Sequence, residues 1–261
     1  MKINLIKTIQ DKGIEVLSLI AAIVIWQLTA DFIVQNPFKL PSFYDVITSF
    51  STIITNGMIF TDMTTSLIHF SIGIAGAFLI GIPLGIGMGW FKILNRIADP
   101  IIEILRPIPP IAWIPFAIIW IGLNDRAAGA VVFAGMIFPI IINTYTGFKN
   151  VPKVYVEAAK VLGCTRNLDL IRYIATPSAM PSIVAGIRIA MGVGWMCLVA
   201  AEMFGSNSGL GYQIWHNYYI HRMDFVLVYM LILGFVGLFI DRFFRYYVDT
   251  KLLRWTSGTV V

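Results

Sequence analysis

Few residues of this sequence have the side chains and the spacing that metal binding or catalysis requires. His216 and His221 are five residues apart and no third ligand lies near them, whereas zinc sites need three or four ligands. Neither Cys164 nor Cys197 has an identifiable partner base, and two cysteines are too few for a disulfide framework. The chain also lacks a GxxxxGK[ST] phosphate-binding loop. These residues therefore predict no catalytic, metal or nucleotide site on this chain.

Two charged residues stand out because they lie in apolar stretches. Glu202 follows Arg188 by fourteen residues, about 21 Å along a straight helix, so the two cannot pair within one helix. Charges at such a depth should face the bundle interior or a wet cavity and have a partner. Arg188 could attract an anion, or it could anchor the helix by pairing with Asp99, Glu103 or helix-end carbonyls. Glu202 could act as an outer gate or as a structural acceptor.

Two further groups of residues can each be interpreted in two ways. Trp195, Met196 and Cys197 lie between these charges and could form an apolar gate or ordinary core packing. The segment 205–224 could form a docking surface for another protein, although aromatic residues are also expected at a membrane boundary. The candidate docking residues are Gly209, Gly211, Tyr212 and Trp215.

The composition indicates the environment in which these residues work. Hydrophobic residues make up 58% and charged residues 13% of the 261 residues, and the mean hydropathy is +0.81. Soluble domains have about 45–50% apolar and about 25% charged residues. This difference excludes an ordinary soluble enzyme, a disordered chain and a nucleic-acid-binding protein.

Six segments are apolar and long enough to be membrane helices, which need about 20 residues. They lie near residues 16–34, 67–90, 108–123, 127–148, 182–200 and 225–244. The prolines between Arg106 and Pro115 predict either that the third segment enters the membrane as a broken, partly extended stretch or that they form an interfacial loop.

The distribution of basic residues predicts the orientation. Of the 19 Lys and Arg, 15 face the same side when the N-terminus is inside, and Arg188 lies within a span. Only Lys39, Arg126 and Arg222 face the other side. Because basic loops stay in the cytoplasm, we expect a multi-pass protein of the cell membrane with both termini cytoplasmic.

Small residues recur at every fourth position along the second span. Such stripes let the backbones of membrane helices approach closely. The stripe predicts either tight packing within the molecule or a surface that slides during a conformational cycle. Its members are Gly73, Ala77, Gly81, Gly85 and Gly89.

The loop between the fourth and fifth spans predicts a short amphipathic helix. Pro152 suits its first turn, and Gly163 suits a left-handed residue that ends it. Lys153, Glu157 and Lys160 follow at helical spacing on one face.

Ala158, Ala159 and Leu162 form a small apolar patch on another face of the same helix. Because alanines contribute little energy to membrane insertion, this patch favours docking in a protein groove over lying on the bilayer surface.

The run from Glu157 to Gly163, Glu-Ala-Ala-x-x-x-Gly, resembles the EAA loop of ABC-transporter permeases. Further motifs occur in order and are similar to binding-protein-dependent importers of the nitrate, sulfonate and taurine type. They lie at residues 99–113, 177–195, 198–202 and 209–211. The family has thirteen residues from the loop glycine to the next proline, and the fourteen here predict a bulge in the connecting loop.

The resemblance implies an all-α membrane protein with six transmembrane helices and the type I ABC importer (MetI-like) permease fold. It implies a homodimer in membrane lipid, with two ABC ATPase subunits that bind ATP and magnesium, and an extracytoplasmic substrate-binding protein. No cofactor is expected on this chain. The ATPase-coupling residues would be Glu157, Ala158, Ala159 and Gly163.

The resemblance covers about residues 64–250, so it divides the chain into three parts. Residues 1–63 form an N-terminal cytoplasmic segment, the first span and an outer loop. Residues 64–250 form the permease core with the coupling loop at about 151–176, and residues 251–261 form a cytoplasmic tail. The implied solute is a small anion such as a sulfonate, taurine, nitrate or bicarbonate; an uncharged or heteroaromatic vitamin precursor is the alternative.

Two other classes of protein make different demands on the sequence. A membrane-embedded enzyme would need convergent His, Asp or Glu residues, whereas the candidates His69 and Glu202 lie on different predicted helices. A channel or an ion-coupled transporter would predict inverted repeats and acidic residues at the midplane, and the sequence has neither.

Overall fold

A computed structural model of the chain describes residues 2–248, and all regular elements in this range are helices. The predicted tail at residues 251–261 lies outside the described residues. The helices are α1 (Lys2–Leu28), α2 (Phe43–Thr55), α3 (Met58–Trp90), α4 (Lys92–Leu105), α5 (Ile114–Ile121), α6 (Asp125–Lys149), α7 (Lys153–Val161), α8 (Asn167–Leu170), α9 (Thr176–Gly205), α10 (Leu210–Tyr219) and α11 (Met223–Tyr247).

Five helical segments are long and apolar enough to cross a membrane. Each contains one of the predicted spans, and the first has the predicted bounds. The segments are Val16–Val34, Met58–Trp90, Asp125–Lys149, Asn167–Gly205 and Met223–Tyr247. Five of the six predicted spans are thereby confirmed as single helical segments.

The third predicted span is not a single helix. The chain here forms α4 and the segment Pro110–Ile121, which are bent by 91° relative to each other. Pro107, Pro109 and Pro110 lie at the break, and proline removes a backbone donor and pushes the preceding residue out of helical geometry. The predicted break is confirmed, and the described chain has six candidate crossings when the bent pair counts as one.

The connection between α7 and α9 differs from the predicted bulged loop. A π-helical turn, Ile171–Ala175, joins α8 to α9 and makes the segment continuously helical from Asn167 to Gly205. A π-helical turn holds one residue more than an α-helical turn. The additional residue between Gly163 and Pro177 is therefore accommodated within the helix.

The described chain separates into two compact units. The first comprises residues up to Thr61 together with Gln213–Ile232, and the second comprises Asp62–Tyr212 together with the residues from Leu233 onward. In the first unit α2 was not predicted from the sequence, although Ser42 and Asp45 form a capping box at its start. Trp26 of α1 donates a hydrogen bond to the carbonyl of Pro41 at 3.1 Å.

Helix α6 lies at the centre of the second unit, with α3 and α9 packed closely against it. The glycines at positions 73, 81, 85 and 89 of α3 each leave room for a side chain of α6. The facing side chains are those of Val132, Ile140, Thr144 and Phe148. Glycines serve the same purpose between α6 and α9, where Gly194 faces Met136 and Gly186 faces Asn143. The prediction of tight packing by the stripe is confirmed, and the sliding surface stays a prediction.

The packing of α3 on α6 makes Gly85 sensitive to a single added methyl group. A Cβ at Gly85 would lie 2.6 Å from Cβ of Thr144 and 2.8 Å from the carbonyl oxygen of Ile141. Since the second contact is backbone, the two helices must separate, and we expect Gly85→Ala to destabilise the fold by about 1–3 kcal/mol. Thermal unfolding of the detergent-purified protein measures this change.

Gly234→Ala is the matched control, because a Cβ there meets nothing within 4 Å. Alanine favours helix by up to about 1 kcal/mol over glycine, so this variant should melt at the wild-type temperature or above it. Equal melting temperatures for the two variants would show that α3 does not depend on close approach to α6.

Candidate functional site

The predicted loop helix is present as α7, and its end is built by Gly163. Gly163 has a φ of +91°, which favours glycine. Its N–H donates to the carbonyl of Lys160 at 3.0 Å, and the N–H of Cys164 donates to that of Ala159 at 3.0 Å. These two bonds form a Schellman motif. The predicted helix end is therefore confirmed, while the coupling role of these residues stays a prediction.

The surface of α7 is more apolar than its sequence pattern suggested. Glu157 and Ala158 are exposed, and Val161 and Leu162 are each 87% exposed. Ala159 is 6% exposed, and it lines the same groove as Ala158 and Leu162. Exposed apolar side chains grouped in this way mark an interaction surface.

A groove of about 670 Å³ lies beside this surface in the second unit. Ala158 and Leu162 of α7 line one side, and Tyr173 and Pro177 line the other. The groove thus joins the exposed face of α7 to the start of α9.

A second group of residues forms a polar cluster around Glu202, which is fully buried. We call it the Glu202 cluster; its members are Ser66, His69, Asp125 and Glu202. One carboxylate oxygen of Glu202, Oε1, lies 2.8 Å from Nδ1 of His69. The other, Oε2, accepts bonds from Oγ of Ser66 at 2.9 Å and from the N–H of Gly211 at 2.8 Å.

The hydrogen bonds connect three helices through the Glu202 cluster. Oγ of Ser66 accepts from the N–H of Leu210 at 2.8 Å, so its own proton is directed to Glu202. Nδ1 of His69 shares a hydrogen bond with Oε1 of Glu202, and Nε2 lies 3.1 Å from Oδ1 of Asp125. His69 of α3 thus bridges a carboxyl group of α9 and one of α6.

The glycines at 209 and 211 allow the backbone to close over Glu202. Gly209 has a φ of +111°, and a Cβ there would lie 2.5 Å from the carboxylate carbon of Glu202. A Cβ at Gly211 would lie 2.7 Å from the carbonyl oxygen of Val199. Both glycines are buried, so they contribute to the Glu202 cluster and offer no surface to a binding protein.

The remaining predicted site residues do not form a single cluster. Trp195 is half-buried, donates from Nε1 to the carbonyl of Leu233 at 3.2 Å and packs edge-on against Phe70. Met196 is 76% exposed. The proposed role of Trp195 and Met196 in a gate stays a prediction.

Tyr212 and Trp215 of α10 are both half-buried. The ring of Trp215 stacks on that of Tyr218 at 5.6 Å between centroids. Their proposed role in docking a binding protein stays a prediction.

Arg188 pairs with a residue that the sequence interpretation did not consider. Its Nε lies 3.5 Å from Oδ1 of Asp241 in α11. The expected partners Asp99 and Glu103 are therefore wrong, because the face of α9 that carries Arg188 is turned toward α11. A cavity of about 580 Å³ lies beside this pair.

One argument against a membrane-embedded enzyme was that His69 and Glu202 lie on different predicted helices. They do lie on different helices, and yet their side chains are in contact. Both side chains are fully buried and hydrogen-bonded, so a substrate cannot reach them in this conformation. Among the side chains that the structure describes, those of residues 13, 14 and 16–248, no group of three or more His, Cys, Asp or Glu is placed to hold a metal ion.

The helices and their arrangement define the class of the protein as an all-α, multi-pass membrane protein with the MetI-like permease fold. The structure aligns with the methionine ABC transporter MetNI in inward-facing conformations, with a TM-score of 0.57 and 23% identity, over 70% of this chain and 92% of that one. The chain belongs to the family of inner membrane components of binding-protein-dependent transport systems, which matches residues 77–252.

Individual relatives agree with this assignment. A putative ABC transporter permease of Methanocaldococcus jannaschii is 41% identical over 239 residues, which are 90% of this chain and 88% of the relative. A putative aliphatic sulfonates transport permease of Bacillus subtilis is 31% identical over 90% of this chain and 85% of the relative. Permeases named for taurine, nitrate and bicarbonate transport also match. The chain is thus a transport subunit and not an enzyme.

Proposed function

We propose that the chain imports a small anionic solute as one half of a homodimer, driven by two ATPase subunits that dock on α7. ATP and magnesium bind to those subunits, and an extracytoplasmic binding protein delivers the solute. The observation that carries the proposal is the exposed apolar surface of α7, with Val161 and Leu162 each 87% exposed at a helix end fixed by Gly163.

The connection of α7 to the membrane supports a mechanical role for it. After Gly163 and a short link, the chain is helical from Asn167 to Gly205. A displacement of α7 during ATPase closure would therefore be transmitted to a long, rigid helix that bears Arg188 and Met196. This arrangement suits a switch between inward-open and outward-open states.

The basic residues near α7 support a cytoplasmic position for this surface. Lys153, Lys160, Arg166 and Arg172 are all exposed here, and positive loops favour the cytoplasm. Both chain termini then lie in the cytoplasm as well. The relatives named for sulfonate, taurine, nitrate and bicarbonate transport support an anionic solute.

The direct test is co-purification of the tagged chain with a candidate ATPase, followed by binding measurements on the candidate binding protein. We expect the two subunits to elute together, and taurine, an alkanesulfonate or nitrate to raise the melting temperature of the binding protein by mass action. Failure of the ATPase to co-elute would contradict coupling through this chain. A binding protein that is stabilised only by cations or by uncharged heteroaromatic compounds would contradict the anionic solute.

A further inference from the structure

Three charged side chains meet between α9 and α11 of the second unit. Asp241 lies 3.5 Å from Nε of Arg188 through Oδ1 and 3.6 Å from a terminal nitrogen of Arg245 through Oδ2. Both distances exceed the roughly 2.7–2.9 Å of strong charge-assisted hydrogen bonds. One carboxylate thus makes long contacts with two guanidinium groups, and these three side chains together have one net positive charge.

The cluster lies near the predicted cytoplasmic ends of the spans 182–200 and 225–244. Arg188 is six residues inside the first span, Asp241 is three residues inside the second, and Arg245 directly follows the second. A charged residue inside a span needs a partner or a wet cavity and is a candidate functional residue. Each guanidinium has five N–H donors, and the contact with Asp241 engages few of them.

The cavity beside the cluster is open to a ligand. Its volume is about 580 Å³, and Ala185, Gly192 and Phe244 supply apolar walls next to the charged residues. The side chains of Arg188, Asp241 and Arg245 are 45%, 44% and 48% exposed. A Cβ added at Gly192 would meet nothing within 4 Å. Apolar walls with a few convergent polar groups are typical of small-ligand sites.

We infer that Arg188 and Arg245 bind an oxyanion in this cavity, with Asp241 holding the two guanidinium groups in position. The planar donor fork of arginine fits the paired oxygens of a carboxylate, sulfonate, nitrate or phosphate group. The transported solute and the headgroup of an anionic lipid share this chemistry. The identification of the oxyanion with the solute rests on the proposed function, whereas the site itself does not.

Charged thiol reagents can measure the potential in this cavity. Cysteine is placed at Ala185, which lines the cavity and is exposed, in a Cys164→Ser background. Two rates of cysteine modification are measured, one with the anionic sulfonatoethyl methanethiosulfonate and one with the cationic trimethylammonioethyl methanethiosulfonate. The readout is the ratio of the anionic rate to the cationic rate. The purified full chain is sufficient, so failure of ATPase docking does not affect the result.

Three variants give opposite expected signs. Arg188→Gln and Arg245→Gln should each lower the ratio about tenfold, because each removes a positive charge near the probe. Asp241→Asn should raise the ratio about tenfold, because it removes the only negative charge of the cluster. The anion site is refuted if all three variants lower the ratio or if none of them changes it. A cluster that only stabilises the helices would change the ratio in the same direction for all three substitutions.

Protection experiments then separate the two sources of the oxyanion. Slower labelling in nitrate than in chloride at equal ionic strength would indicate a free solute anion. Slower labelling in nanodiscs with phosphatidylglycerol than in nanodiscs with phosphatidylcholine alone would indicate a lipid headgroup. If neither nitrate nor the anionic lipid protects the cysteine, the inference fails.

Discussion

Replacing Glu202 by alanine is expected to destabilise the protein by about 3 kcal/mol or more, because each buried polar group left without its hydrogen-bond partner costs about 1–3 kcal/mol. The variant would leave His69 without the acceptor that now lies 2.8 Å from its Nδ1. The hydroxyl of Ser66 and the N–H of Gly211 would lose their acceptor as well. Because all of these groups are inaccessible to solvent, water cannot replace the lost carboxylate without rearrangement. Thermal unfolding in detergent measures the effect.

Glu103→Ala provides the matched control, since it removes the same side chain from an exposed position. Surface substitutions of this kind usually change stability by less than about 0.5 kcal/mol. If Glu202→Ala and Glu103→Ala melt together, the Glu202 cluster does not stabilise the fold and its hydrogen bonds have another purpose.

The parts of the fold that were predicted from the sequence depend on local signals. Hydropathy over about 20 residues identifies a membrane helix regardless of its neighbours. The prolines at 107, 109 and 110 interrupt the helix whichever helices pack beside it. Gly163 ends α7 because its left-handed conformation and its hydrogen bonds to Lys160 involve residues of the same turn.

The partners of the buried charges depend on which helices become neighbours, and the sequence does not specify this. His69 and Glu202 are separated by 133 positions. Asp99 and Glu103 were the carboxylates expected to pair with Arg188, whereas its partner Asp241 lies in α11. One signal was available, because Ser66 and His69 lie three residues apart in an apolar span. Polar groups at that depth require partners, and Glu202 was the unassigned acceptor.

The glycines at 209 and 211 show a second limit of the sequence. A Gly-x-Gly motif between two spans suits an exposed turn as well as a backbone that closes over another side chain. The choice depends on Glu202, which precedes the motif by seven residues and points back into it. Burial therefore changed the interpretation of these two glycines from a docking surface to support for the Glu202 cluster.

Leu162→Asp is expected to abolish ATP-driven uptake while leaving the permease itself folded. Leu162 is 87% exposed, so its replacement removes little internal packing. In the proposed complex, however, the aspartate would lie in the apolar contact between α7 and the ATPase. Central contacts of this kind contribute about 2 kcal/mol or more, so docking should weaken by roughly 30-fold or more. The measurements are the amount of co-purified ATPase, uptake into proteoliposomes and the melting temperature.

Leu168→Asp is the matched control, because Leu168 is 78% exposed but lies in α8, outside the proposed docking helix. We expect this variant to retain the ATPase and uptake. Glu157→Arg, which reverses the charge on the exposed face of α7, should behave like Leu162→Asp. If Leu162→Asp and Glu157→Arg both retain the ATPase at wild-type levels, coupling through α7 is refuted. If Leu168→Asp also loses the ATPase, the docking surface extends along the chain into α8, and displacement would then act directly on the helix that leads to Arg188.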